Sequence, residues 1–267
     1  MKNHESFQIP ISSKITAMTA IDNSIIVFGD NSGYLYLMNI KANMLFFWIK
    51  TNSSSITDLL PLPSKMLLSS SSSGVMNLWV FFNNSLFLLH SYEFSYYSIL
   101  QSIYIPANKI GSFCIDGSVI VWTFDIKTVI LDCDVIDISN YCNGCIAYSQ
   151  KHNTLIKIAR GNLFFISMNP YQKEKEVIRN VNVDKKTSVC ITKEEKLIVE
   201  DVELKIFIVN VKTRQVESIF MNNQDMSSFS SLGISPFIVD YEHSVLFFSP
   251  YKFMIKIKSK FWLISYL

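Results

Sequence analysis

Two cysteines spaced as Cys142-Asn143-Gly144-Cys145 are the pattern in this chain that could most directly do chemistry. A structural zinc ion wants four ligands, usually drawn from two such close pairs. Cys133 is near in sequence, but no second pair exists. A redox role would need a strand–helix–strand context of the thioredoxin kind, which the flanking residues do not supply. The pattern reads as a turn carrying two small buried thiols. The four histidines, His4, His90, His152 and His243, are dispersed and form no HxH or HExxH spacing. Nucleophile-elbow, phosphate-loop and dinucleotide-binding glycine patterns are missing. Carboxylates are few and fall mostly in charged turns. The expectation is a chain with no catalytic, cofactor-binding or metal-ligating residue. It is expected not to be an enzyme, with no cofactor and no small-molecule substrate.

Two other groups could recognise a partner. Lys256, Lys258 and Lys260 alternate along one predicted strand, with Lys252 close by. At strand spacing such lysines stand about 7 Å apart, which suits phosphate or an acidic partner. The same pattern protects an exposed sheet edge from aggregation, and the stripe reads as that. Tyr92, Phe94, Tyr96 and Tyr97 fall together in a predicted link between two strand groups. Exposed, they would be a hot spot for a protein partner. Buried, they would fill the gap between neighbouring units. Both readings stand. Lys173–Glu176 and Lys185–Lys196 mix both signs and read as solvated loops.

Composition says what must position these residues. The chain has 267 residues, of which 49% are apolar and 13% aromatic, and only 17% are charged. No apolar run approaches the 18 or so residues that span a bilayer, so no membrane insertion is expected. Apolar clusters are short: Met44–Ile49, Leu86–Leu89, Leu163–Ile166 and Phe261–Ile264. Such lengths read as many buried strands. The N-terminal residues contain no apolar signal-like stretch. Five scattered cysteines suit a reducing compartment. An intracellular location, cytoplasmic or nuclear, is therefore expected. The net charge of +2 carries no bias toward nucleic acid.

One phrase recurs. Asn108–Trp122 reads as strand, Asp-Gly turn, strand. Aligned on the turn, its copies fall at Gly33, Gly74, Gly117, Gly161 and Glu203, with a sixth near Tyr251–Lys252. The steps between them stay between 41 and 49 residues. A period of this size with four short strands per unit is the signature of propeller blades. The predicted blades cover 15–50, 56–90, 98–133, 145–182, 187–220 and 236–267. Residues 1–14 would hold a closing strand at Phe7–Ile11. The fold class expected is all-β, a single six-bladed β-propeller of four-stranded antiparallel blades. A seventh blade would need about 40 more residues. No helical periodicity is visible.

These residues also resemble a known family. Ser112, Asp116, Gly117 and Trp122 resemble the core of a WD40 repeat, with serine on the second strand, aspartate in the turn and tryptophan on the third. Ser69, Gly74 and Trp79 repeat the pattern, with Ser73 where aspartate would stand. Gly33 with Met38, and Gly161 with Ile166, are weaker copies. No Trp-Asp dipeptide and no Gly-His pair remains. In the family a histidine joins the serine, aspartate and tryptophan in one hydrogen-bonded network, and the best copy here keeps three of the four. The resemblance implies a non-catalytic scaffold, a subunit of a larger intracellular protein complex. Two alternatives are carried. One is a ribonucleoprotein- or ribosome-associated propeller that touches RNA through lysines. The other is a coat or nuclear-pore type propeller completed by a partner's strand.

Overall fold

The computed structural model describes residues 13–220 apart from 40, 43, 52–53, 94–97, 125–130, 138–143, 160–161, 169–170, 178–187, 193–194 and 201–205, together with 237–238 and 246–247. Among these residues every regular element is a β-strand. The first sheet is β1 (Ile15–Ala20), β2 (Ile25–Asp30), β3 (Tyr34–Asn39) and β4 (Met44–Lys50), hydrogen-bonded in chain order. The second repeats it with β5 (Ile56–Leu62), β6 (Met66–Ser71), β7 (Val75–Phe82) and β8 (Ser85–Glu93). The third holds β9 (Ile99–Ile105), β10 (Lys109–Cys114), β11 (Val119–Phe124) and β12 (Leu131–Asp137). The fourth holds β13 (Cys145–Ser149), β14 (Thr154–Ala159), β15 (Asn162–Met168) and β16 (Tyr171–Val177). The fifth holds β17 (Ser188–Ile191), β18 (Lys196–Glu200), β19 (Ile206–Asn210) and β20 (Gln215–Phe220). Beyond them β21 (Phe237–Ile238) pairs with β22 (Leu246–Phe247). All pairings are antiparallel.

The turns explain why the chain doubles back where it does. Gly33, Gly74 and Gly117 have φ of 81°, 81° and 86°, a region glycine enters without steric cost. Each donates its N–H to the carbonyl three residues back, on Asp30, Ser71 and Cys114. Asp30 adds a side-chain lock: its Oδ1 accepts the amides of Ser32 and Tyr34, and its Oδ2 accepts the Tyr36 hydroxyl. Ser71 does the same job in the second sheet by accepting the Val75 amide. Other hairpins use two successive left-handed residues, Asn83–Asn84 and Ala107–Asn108, whose twist matches that of the flanking strands.

The core has no single centre. First strands lie side by side in series: β1 by β5, β5 by β9, β9 by β13, β13 by β17. Apolar layers fill each seam. Leu35, Leu37 and Val27 meet Ile56, Leu67 and Trp79 between sheets one and two. Leu68, Met76 and Leu78 meet Ile110, Ile120 and Trp122 between two and three. Phe113 and Val121 meet Leu155 and Ile166 between three and four. Phe165 and Ile156 meet Leu197 and Val209 between four and five. Both faces of β6 are therefore covered, and every one of its six residues is buried. Seam one is tight enough to demand Gly29, where an added Cβ would lie 2.5 Å from Ile56 Cγ2.

Some strands differ from the sequence expectation. β12, Leu131–Asp137, runs past residue 133, where the third predicted blade ends, and β16, Tyr171–Val177, takes up residues read as a charged loop. Asp132, Asp134 and Asp137 in one, and Lys173–Glu176 in the other, mask the strand pattern because outermost strands tolerate charge. Lys173–Glu176 thus belongs to a strand, not to a loop. β8 runs on to Glu93, so Tyr92 lies in a strand, not in a link. The expected closing strand at Phe7–Ile11, the turns at Gly161 and Glu203, and the last two strands of the sixth unit lie outside the described residues.

Candidate interaction surface

Two tryptophans anchor the middle of each of two sheets. Trp79 Nε1 donates to Ser69 Oγ at 2.9 Å, and Trp122 Nε1 donates to Ser112 Oγ at 3.0 Å. Both pairs are buried. Register makes the two sites equivalent: Trp79 lies opposite Leu67 and Trp122 opposite Ile110, the second residue of each second strand. The serine is two residues further on. The same register places Met38 opposite Ile26, Ile166 opposite Leu155 and Val209 opposite Leu197. The serine position is then Phe28 in sheet one, Lys157 in sheet four and Val199 in sheet five.

The serine network crosses a seam. Ser112 Oγ lies 3.4 Å from Ser102 Oγ on β9, and Ser102 Oγ lies 3.2 Å from Ser70 Oγ on β6. Asp116 turns elsewhere, with Oδ1 accepting the amide and hydroxyl of Ser118 at 3.0 and 2.7 Å. Ser70 and Ser102 were not legible as partners; the serine run 69–73 was the available signal. Ser112→Ala is expected to cost about 1–2 kcal/mol, because the Trp122 N–H would stay buried without this acceptor. A urea titration followed by circular dichroism reads that loss.

Polar side chains stitch consecutive first strands together. Thr16 Oγ1 donates to the Ile56 carbonyl and Thr57 Oγ1 to the Ile99 carbonyl. Gln101 Oε1 accepts the Ile146 amide at 2.8 Å. Asp58 Oδ2 accepts the Ser102 amide. Partners are 40 to 45 residues apart, one repeat period. Asp58 keeps a strip of accessible surface as a residue, but its carboxyl is enclosed, and burial pushes its pKa from 3.8 up to about 7 against the pull of the Ser102 and Leu59 amides. The folded state thus holds its proton over a range where the unfolded chain releases it. This group's contribution to stability is full below about pH 4 and falls as pH rises to about 7. The span corresponds to on the order of 4 kcal/mol at high pH. Asp58→Asn keeps the acceptor oxygen but buries an NH₂, so a net gain of about 2 kcal/mol at pH 8 is expected, turning into a net loss of about 1–2 kcal/mol at pH 4, where the aspartate is protonated in the fold and the buried NH₂ still costs. Urea midpoints of both proteins across that range would show the difference.

Among the described residues no group of three or more His, Cys, Asp and Glu is placed to hold a metal ion. Cys145 is buried and its thiol is pushed up by burial, away from the thiolate a metal or redox site uses. Cys142 lies outside the described residues, as do Phe94, Tyr96, Tyr97, Lys252, Lys256, Lys258 and Lys260. Tyr92 is half-buried, packs against the layer between sheets two and three, and sits 4.2 Å from the His90 ring. Among the described residues no helix is long and apolar enough to cross a membrane.

What the described surface does offer is apolar. Phe82 at the end of β7 is 61% exposed, and Phe87, Leu88 and Leu89 on β8 are 51%, 45% and 44% exposed. Trp48 and Met44 on β4 are exposed as well. The Leu86–Leu89 run reads as buried in sequence, but only Leu86 is; among the described residues β8 is the outermost strand of its sheet.

No protein-family model matches the chain, and no curated protein matches it in sequence. Among solved structures it is similar to the Cps50 (Swd1) β-propeller domain of Myceliophteria thermophila, with a TM-score of 0.67 over 82% of this chain and 74% of that one, at 15% identity. The fold is a β-propeller. Its sheets are blades and their first strands are the inner ones, as the WD40-like pattern implies. At that identity the likeness carries the architecture alone.

Proposed function

We propose that this chain is a non-catalytic scaffold for protein–protein interaction, a WD40-like propeller subunit of a larger intracellular complex. The observation that carries the reading is the apolar rim of the first two blades, Met44, Trp48, Phe82, Phe87, Leu88 and Leu89. Large exposed apolar side chains, here on β4, β8 and the end of β7, are what a protein interface uses and what a lone soluble molecule avoids. The ring we propose has six blades, with residues 236–267 as the sixth. The free, buried Cys114 and Cys145 agree with a reducing compartment, cytoplasm or nucleus. Affinity purification of the tagged full chain at physiological salt is expected to recover it with stoichiometric protein partners. Recovery as a lone monomer would overturn the proposal.

A further inference from the structure

We propose that the open edge of β8 receives an extended, uncharged apolar segment of a protein partner, which adds a fifth strand to blade two. The inference rests on the scaffold reading and names where and how a partner binds.

Three observations carry it. First, β8 is nine residues long and, among the described residues, ends its sheet, so one row of main-chain donors and acceptors faces outward. Such an edge is a template for another strand. A bulge against Leu78–Trp79 makes Leu89 an extra residue, and the successive Leu88 and Leu89 both reach the surface.

Second, the edge lacks the defences that the outer strands of blades three, four and five carry, a lack shared with β4 of blade one, whose one charge is Lys50 at its end. Outer strand β12 carries Asp132, Asp134 and Asp137. Strand β16 carries Lys173, Glu174, Lys175 and Glu176, and β20 carries Glu217. Charges of this kind discourage edge pairing. Between Lys65 and Glu93 the chain has no Asp, Glu, Lys or Arg at all. Along residues 85–92 an incoming strand meets no charge to pair with, Glu93 at the end of β8 being the first, and a charged strand would lose hydration for nothing. The complementary occupant is therefore uncharged and apolar.

Third, the area argues against a second copy of this chain. Phe82, Phe87, Leu88 and Leu89 together offer on the order of 400 Å². Two copies joined there would bury about 800 Å², below the roughly 1,200 Å² of a stable specific interface. An extended segment adds main-chain hydrogen bonds along the nine residues of the strand.

The test uses the full chain and a fluorescently labelled, capped ten-residue peptide of alternating valine and threonine. Saturable one-to-one binding by fluorescence anisotropy is expected. Methylating every peptide amide, or introducing Leu88→Lys with Leu89→Lys, is expected to weaken it at least tenfold. Amide hydrogen exchange on the unaltered protein gives a readout that needs no variant: amides within residues 86–91 should slow when the peptide is added. Absent binding, equal binding of the methylated peptide, or protection elsewhere overturns the proposal. So does concentration-dependent dimerisation that protects β8, which would make a second copy the occupant. If affinity purification recovers the same assembly with the unaltered chain and with the double lysine variant, the scaffold reading stands and strand addition falls. If neither recovers any partner, the scaffold reading itself falls.

Discussion

Trp79→Ala and Trp122→Ala are each expected to lower stability by about 3–5 kcal/mol, read as a shift of the urea midpoint by far-ultraviolet circular dichroism. Each ring is buried in a different seam, Trp79 between blades one and two and Trp122 between two and three. Removing a ring opens a void that rigid strands on both sides close poorly. It also removes the donor that Ser69 Oγ or Ser112 Oγ accepts. Trp→Phe at either site keeps most of the volume and is expected to cost less, about 1–2 kcal/mol, chiefly for the lost N–H. Because the two side chains share no packing layer, the costs should add in the double variant. Costs below about 1 kcal/mol for the alanine variants would contradict the packing described.

Lys157→Ala is expected to be comparably damaging, at about 3–5 kcal/mol. Lys157 is fully buried on β14, where blades two and three carry serine. Its Nζ donates to the Gly117 carbonyl in the turn of the preceding blade. The ammonium also lies 5.5 Å from the Phe113 ring centre and 6.0 Å from that of Phe164, within reach of cation–π attraction. Alanine leaves a cavity and deprives the Gly117 carbonyl of this donor. Lys157→Met fills the cavity and is expected to lose only about 1–2 kcal/mol. The decisive measurement is the order of the two variants. Equal losses would mean that the charge, not the volume, matters there.

The blade repeat was legible in sequence because its turns demand unusual backbone. Gly33, Gly74 and Gly117 all stand at positive φ, so drift in the surrounding residues could not erase them. Trp79 and Trp122 follow Ser69 and Ser112 by ten residues, and that spacing is the register of one hairpin. Lys157 was not legible. A single lysine in the apolar run Leu155–Ala159 looks like an outward residue until the preceding blade covers it. Asp58 and Ser102 were missed for the same reason: their partner is a whole repeat away, and strand pattern reports only on one sheet. The rim was misread because Leu86–Leu89 looks identical whether a strand is central or outermost. Whether a run of leucines is buried depends on what comes to lie beside it.

The stitches between inner strands also say where this chain can be opened. Thr16, Thr57, Asp58 and Gln101 each complete their hydrogen bonding on the following blade. A fragment trimmed at a blade boundary would expose an apolar seam and strand those groups without their acceptors or donors. The outer hairpin at Asn83–Asn84 is different: both residues are exposed, and the bonds of the turn are local. A cut placed there would leave the four described seams intact. The seam, rather than the blade, is therefore the natural building block of this molecule.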